Sequence, residues 1–437
     1  VILAVVAAAA AARLFVVRLD LPALTHDSYV YISHANGIRA GVWQNVIPNG
    51  YPLLLALLPF STTDPHFIAA AQAVNVACGA GTSALTALTA LRLGLSRGAA
   101  CAAGLLVALW PHQVNYARLL LSESVAGLLL ALAVWALLAE RRVVSGGALG
   151  VLAITRTVAA PLFVLMPLVA SGPWRKIARS WIASLAIVAA FAAAAMPSGH
   201  LGLGSNLSAN IEVARLSADG HFDFGAAPGS VSTAAGRYAH DAVADPARFL
   251  RQRLQSVGEL WGPWPLEHGR PTWRRVLIGM RFPFVLLAIV ALLVHRHDRR
   301  WWIVATPPLT LTAIHFWLFS TARHSQPVEP QMLLLSVTGI WWLTRRGVGR
   351  VPDEAEKGYT REEDEGPNGA PLRGATGRSV MDPLEKRKQG GEPRHAISGW
   401  LAADRQSRGH SAWVTWCWST GSPADSGVAE QPSSLRP

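Results

Sequence analysis

The sequence predicts an all-α integral membrane protein with about ten transmembrane helices, and three observations carry that reading. Hydrophobic residues make up 51% of the 437 and charged residues only 15%, whereas a soluble domain of this length holds about a quarter charged. Apolar runs of bilayer-crossing length recur, giving a mean hydropathy of +0.28. Basic residues also cluster in alternate gaps between those runs, as orientation signals do.

The apolar runs fall at 1–17, 67–91, 98–115, 119–139, 146–156, 158–170, 180–197, 276–294, 301–319 and 330–345. A crossing takes about 20 residues, so 146–156 and 158–170 are short and read as broken or tilted. The run at 1–17 reads as a retained helix, because Arg13 and Arg18 stand where a signal peptide would have small residues. Arg92/Arg97, Arg141/Arg142, Arg175/Lys176/Arg179, Arg296/Arg299/Arg300 and Arg345/Arg346/Arg350 occupy alternate gaps. The positive-inside rule places them, and both termini, in the cytoplasm. The outer segments are then 18–66, 116–118, the turn near 156, 198–275 and 320–329.

In the first outer loop, 18–66, Thr25 or Asp27 can cap a helix from Ser28 to Gly41, with Tyr29, Ile32 and Asn36 on one face and Tyr31 and His34 on another. Such a helix would lie along the membrane surface. Tyr51 to Leu58 is apolar but too short to cross. The larger segment, 198–275, opens with Gly-rich, weakly patterned sequence. Asp245 then caps a second surface helix, Pro246 takes its first turn, and Phe249, Leu250, Leu254, Val257 and Leu260 form an apolar stripe opposite Arg248, Arg251 and Arg253. Trp261 and Trp264 close it as an aromatic anchor. From 351 to 437 the composition turns to Glu, Gly, Pro, Ser and Arg without periodicity, which predicts a disordered cytoplasmic tail. Residues 1–350 form the membrane domain.

The net charge of +12 comes from that domain, since the tail holds 11 Lys+Arg against 13 Asp+Glu. Bases confined to short loops between apolar runs give no reason to invoke nucleic acid. The three cysteines have no paired spacing, so neither a disulfide framework nor a zinc site is expected. No Lys follows the glycines of 199–204, which read as a linker rather than a nucleotide loop.

Polar residues gather at the outer helix ends: Asp27, His112, Tyr116, Arg118, Glu123, Arg156, Arg323 and His324. Most interfacial arginines merely anchor or snorkel, and Arg118 could pair with Glu123 along one helix. Yet Arg118, Arg156 and Arg323 all fall on the side that disfavours them, together with Asp27. Guanidinium forks grip phosphate bidentately and stay protonated, and a carboxylate beside them can take a proton from a hydroxyl. The combination fits group transfer from a lipid-linked phosphate. A lone phosphate leaving group needs little protonation, so one acid can suffice. His26, His112 and His324 lack the spacing of a helical metal pair, so no cofactor or metal is expected.

Asp27-Ser28-Tyr29 with Gly41 and Tyr51-Pro52-Leu53-Leu54, then Tyr116 to Glu123, Thr155-Arg156, and Arg323-His324 with Pro327 and Pro330, resemble in order and topology the GT-C glycosyltransferases. The likeness is to the branch of protein O-mannosyltransferases and lipid A aminoarabinose transferases, and covers residues 1–345. It implies an inverting, polyprenyl-phosphate-sugar-dependent enzyme with Asp27 as base. Arg118, Arg156 and Arg323 are then candidates for the donor phosphate, and Tyr29, His112, Tyr116, Glu123 and His324 for support. The implied partners are the lipid-linked donor, membrane lipid, and a glycan, lipid or protein acceptor. Many relatives have Asp-Glu where this chain has Asp27-Ser28. The competing readings are a transporter or flippase of lipid-linked sugar and a non-catalytic scaffold.

Overall fold

A computed structural model describes residues 1–347 except 20–23, 200, 202, 204–206, 217–229, 263–275, 277–278 and 319–321. The expected tail, 351–437, and Trp264 of the expected anchor lie outside the described residues. All the regular elements described are helical.

The first apolar run forms α1 (Ile2–Arg18), the loop carries α2 (His26–Arg39) and α3 (Gly50–Ala56), and the second run forms α4 (His66–Arg92). The 98–115 run is two helices, α5 (Arg97–Leu109) and α6 (Pro111–Asn115), because Pro111 cannot continue the helix. A 3₁₀ turn, Tyr116–Arg118, follows. Then come α7 (Glu123–Leu138), α8 (Arg142–Thr155), α9 (Pro161–Val169) and α10 (Trp174–Ala195). The 198–275 segment holds α11 (Leu207–Leu216), α12 (Val231–Ala244) and α13 (Pro246–Trp261). The chain then continues through α14 (Arg281–Val294), α15 (Arg299–Trp317), a 3₁₀ stretch Ala322–Val328, and α16 (Glu329–Gly347).

Two helices, His66–Arg92 and Trp174–Ser198, are long and apolar enough to cross a bilayer, and five shorter apolar helices accompany them. At 1.5 Å per residue the 27-residue α4 spans about 40 Å, against a hydrocarbon core of about 30 Å. The 14-residue α8 reaches only about 21 Å.

Small residues let the helices approach closely. A Cβ on Gly146 would stand 2.2 Å from Ser180 O and one on Gly150 2.8 Å from Ser184 O, where α8 meets α10. The Ser180 and Ser184 hydroxyls donate back to Arg142 O at 3.0 Å and Gly146 O at 2.8 Å. Backbone contact of this kind suits helices packed in lipid. Arg13, inside the first apolar run, is fully buried. Its guanidinium occupies the space where a Gly79 side chain would be and donates to Ala108 O at 2.9 Å.

The main core joins Leu130, Val134 and Leu137 of α7 to Leu149 and Leu152 of α8, Met166 of α9, Val304 of α15 and Leu333 to Leu335 of α16. A second cluster, Tyr31, Ala35, Tyr51, Leu55, Phe67 and Leu119 to Leu121, seats the first-loop helices on α4 and the Tyr116 turn. The starts of α2, α7 and α16 and the end of α8 thereby meet at one end of the bundle.

Candidate active site

Thr25, not Asp27, caps α2: its hydroxyl accepts from Ser28 N while the Ser28 hydroxyl accepts from Thr25 N. That reciprocal cap leaves Asp27 in the first turn with its carboxylate uncommitted to the backbone. Tyr31, one turn on, fixes the helix by meeting Ser122 Oγ at 3.2 Å and the Tyr51 ring edge-on at 5.1 Å.

Glu123 opens α7 beside Ser122 and is fully buried. Its Oε1 accepts from Arg323 Nε and lies 3.1 Å from Arg156 Nη1. Arg323 Nη1 in turn donates to Asp27 Oδ2. One guanidinium therefore bridges two carboxylates 96 residues apart in sequence, and one carboxylate joins two guanidiniums. Arg156 reaches the cluster because α8 ends there, its own backbone turning extended at φ −144° and ψ 98°. Burial opposes the Arg323 charge, but Glu123 and Asp27 outweigh it and hold its pKa well above the ordinary guanidinium value. The two acids and two bases formally cancel. Asp27, with 45% of its side chain exposed, is the accessible member.

The remaining expected residues surround this cluster in different ways. His324 stacks face to face on His315, with ring centroids 4.6 Å apart. Burial first, then the charges of His315, Arg156 and Arg323, push its pKa well below the ordinary imidazole value. Tyr116 is buried edge-on against His112 at 4.8 Å, and burial raises its phenol pKa. Arg118 Nε donates to Asn115 Oδ1 at 2.9 Å. A continuous helix pairing Arg118 with Glu123 does not form, because Leu119 is extended at φ −89° and ψ 135°. Tyr29 is 61% exposed, on the outer face of α2. Among the described residues, no three His, Cys, Asp or Glu side chains come together as a metal site.

Sequence reasoning missed the support beneath Arg323. Glu329 is fully buried and lies 2.7 Å from His112 Nδ1, 3.1 Å from Arg281 Nε and 3.1 Å from Ser325 Oγ. Gln113 donates from Nε2 to Gln326 O at 2.5 Å and accepts at Oε1 from Gln326 Nε2 at 2.9 Å. The turn bearing Arg323 and His324 is thus tied on both sides. The available signal was Arg281, a charge inside the 276–294 run, and Glu329 immediately before the 330–345 run, where a charge also serves as an ordinary helix start.

No protein-family model matches the chain, and no curated protein matches it by sequence. Its architecture is similar to that of the oligosaccharyltransferase of Archaeoglobus fulgidus in its apo form, with a TM-score of 0.50 at 11% identity. The superposition covers 79% of this chain but 51% of that one, so this chain spans about half the length of the archaeal enzyme. A likeness at this identity concerns the fold alone.

Proposed function

We propose that the chain is a multi-pass membrane glycosyltransferase of the polyprenyl-phosphate-sugar-dependent branch. It transfers a sugar to an acceptor hydroxyl at the extracytoplasmic face, with inversion. The observation that supports this most is Arg323 bridging the accessible Asp27 and the buried Glu123 while Arg156 shares Glu123. The GT-C type of fold, shared with an oligosaccharyltransferase, supports glycosyl transfer from a lipid-linked donor.

The charge balance dictates the sequence of events. A donor phosphate brings a further negative charge to a cluster that is already neutral, so one carboxylate must give way. Glu123 is fully buried between two arginines, whereas Asp27 is half-exposed and held by Arg323. The phosphate therefore replaces Asp27 on Arg323, with Arg156 and Arg118 completing its grip, and the freed Asp27 turns to the acceptor. The acceptor oxygen then forms its bond to the anomeric carbon as the bond to the phosphate oxygen breaks. The hydroxyl proton passes to Asp27 and polyprenyl phosphate departs, its charge held by the arginines. The neutral His324 leaves the positive charge at the site on the guanidiniums.

Asp27→Asn keeps the size of the side chain and removes the base. Turnover of a radiolabelled polyprenyl-phosphate sugar by reconstituted protein should fall by about 10²–10⁴, with expression and unfolding temperature unchanged. Undiminished turnover in that variant removes Asp27 from the mechanism. Donor crossing between leaflets without any glycosylated product would identify a flippase instead.

A further inference from the structure

Three helices of the large outer segment enclose a cavity of about 370 Å³, and the reaction chemistry just described uses none of its lining. Arg215 and Leu216 come from α11, Tyr238, Asp241 and Ala244 from α12, and Arg248, Phe249 and Gln252 from α13, with Asp245 at the corner between the last two. That volume lies within the usual range of about 300–1,000 Å³ for small-molecule sites.

The cavity is preformed. Arg253, 99% buried, runs beneath it, donating to Ala214 O at 2.6 Å and to Trp317 O at 3.1 Å. The same guanidinium stands 5.4 Å from the Tyr238 and Phe249 ring centroids, and those rings meet edge to face at 5.2 Å. Tyr238 Oη donates to Trp317 O at 2.5 Å. The wall is therefore anchored to the end of α15, six residues before Arg323 in the chain. On the opposite side, Arg215 Nη1 holds Asp241 Oδ2 at 3.0 Å, and Asp245 Oδ1 accepts from Arg248 N at 2.9 Å.

This lining is chemically mixed in a particular way. Two carboxylates and two guanidiniums cancel, so it has no excess cation to hold a phosphate or nucleotide. Phe249, Leu216, Ala244 and the Tyr238 ring give the lining apolar faces, yet the polar groups are too many for an acyl chain. Hydroxyls in several directions combined with apolar ring faces are the character of a saccharide. Gln252 and Arg248 add amide and guanidinium donors suited to hydroxyl oxygens.

We infer that this cavity is a saccharide-binding subsite that holds about two sugar rings of a glycan acceptor, away from the reacting hydroxyl. The inference rests on the glycosyl-transfer reading and narrows its acceptor from glycan, lipid or protein to a glycan. Binding remote, non-reacting sugars positions the terminal hydroxyl at Asp27.

Binding can be read without turnover. The full chain in nanodiscs is titrated with a panel of gluco-, galacto-, manno- and arabino-configured disaccharides, followed by saturation-transfer NMR, alongside Asp27→Asn and the surface double variant Arg248→Ala/Gln252→Ala. At least one disaccharide should bind, equally well to Asp27→Asn, and at least tenfold more weakly to the double variant. The proposal is overturned if no member of the panel binds, or if the double variant binds as tightly as the parent. Because Asp27→Asn binding and Asp27→Asn turnover are separate readouts, failure here and failure of the catalytic assignment are told apart.

Discussion

Glu123 shows how one buried charge sets a site. Its carboxylate is fully enclosed and is the counter-ion of Arg156 and Arg323, so removing it strands Arg156 and leaves Arg323 with Asp27 alone. Glu123→Gln should lower stability by about 3–5 kcal/mol, visible as a large drop in unfolding temperature, whereas Asp27→Asn at the exposed end should lower it little. His324 gives a prediction of opposite character. Its depressed pKa keeps it neutral when folded, so the unfolded chain takes up the proton first as pH falls. The stability it contributes is complete above the ordinary imidazole value and is lost as pH drops from there toward the folded value. Unfolding temperature should therefore decline on acidification through pH 6.5, and His324→Asn should flatten that slope. His112, lowered by burial against the opposing pull of Glu329, adds to the same slope. Asp27, Arg156 and Arg323 were legible in the sequence because charge at an apolar run's outer end has few ordinary uses. The role of Glu123 was not, since pairing across 200 residues leaves no local pattern.

Among the elements, the short α3 sets the position of Arg156. Gly50 begins it, and a Cβ there would lie 2.7 Å from both Ile154 O and Thr155 Oγ1, immediately before Arg156. Backbone cannot yield as a flexible side chain does, so Gly50→Ala should push the end of α8 away. Transfer should fall by about tenfold or more, given how steeply rate depends on placement, while Gly98→Ala, with nothing within 4 Å, should leave it unaffected. Steady-state rates with labelled donor compare the two. The start of the Asp245-capped helix was readable, because cap and proline are local signals, but its faces were not: Arg253, expected opposite the apolar stripe, is buried, while Leu250 and Leu254 of that stripe are exposed. Helices α11 and α12 were not readable. Their stretches carry little apolar contrast, and they are joined by ion pairs of Arg215 with Asp241 and of Glu212 with Arg237 that only the folded chain reveals.

Across the whole molecule, the argument turns on which end of the bundle faces which compartment. Asp27, Glu123, Arg156 and Arg323 come from connections that alternate along the chain, and they meet at one end. Glu140 and Lys176, from the intervening connections, pair with each other at 2.5 Å. The alternation of basic clusters made this arrangement legible from sequence, since each crossing of a bilayer reverses the side on which the next loop emerges. Helix lengths do not by themselves impose it, because among the described residues only two helices are both long and apolar enough to cross unaided. A labelling experiment decides the matter. In a background with Cys78, Cys101 and Cys417 replaced, a single cysteine at the 83%-exposed Val243 should react with a membrane-impermeant maleimide in intact cells. One at Glu140 should react only after the membrane is opened. If both react in intact cells, or neither does, the alternating topology fails. If the pattern is reversed, the end that carries Asp27 and Arg323 faces the cytoplasm, and the proposed transfer would have to take place there.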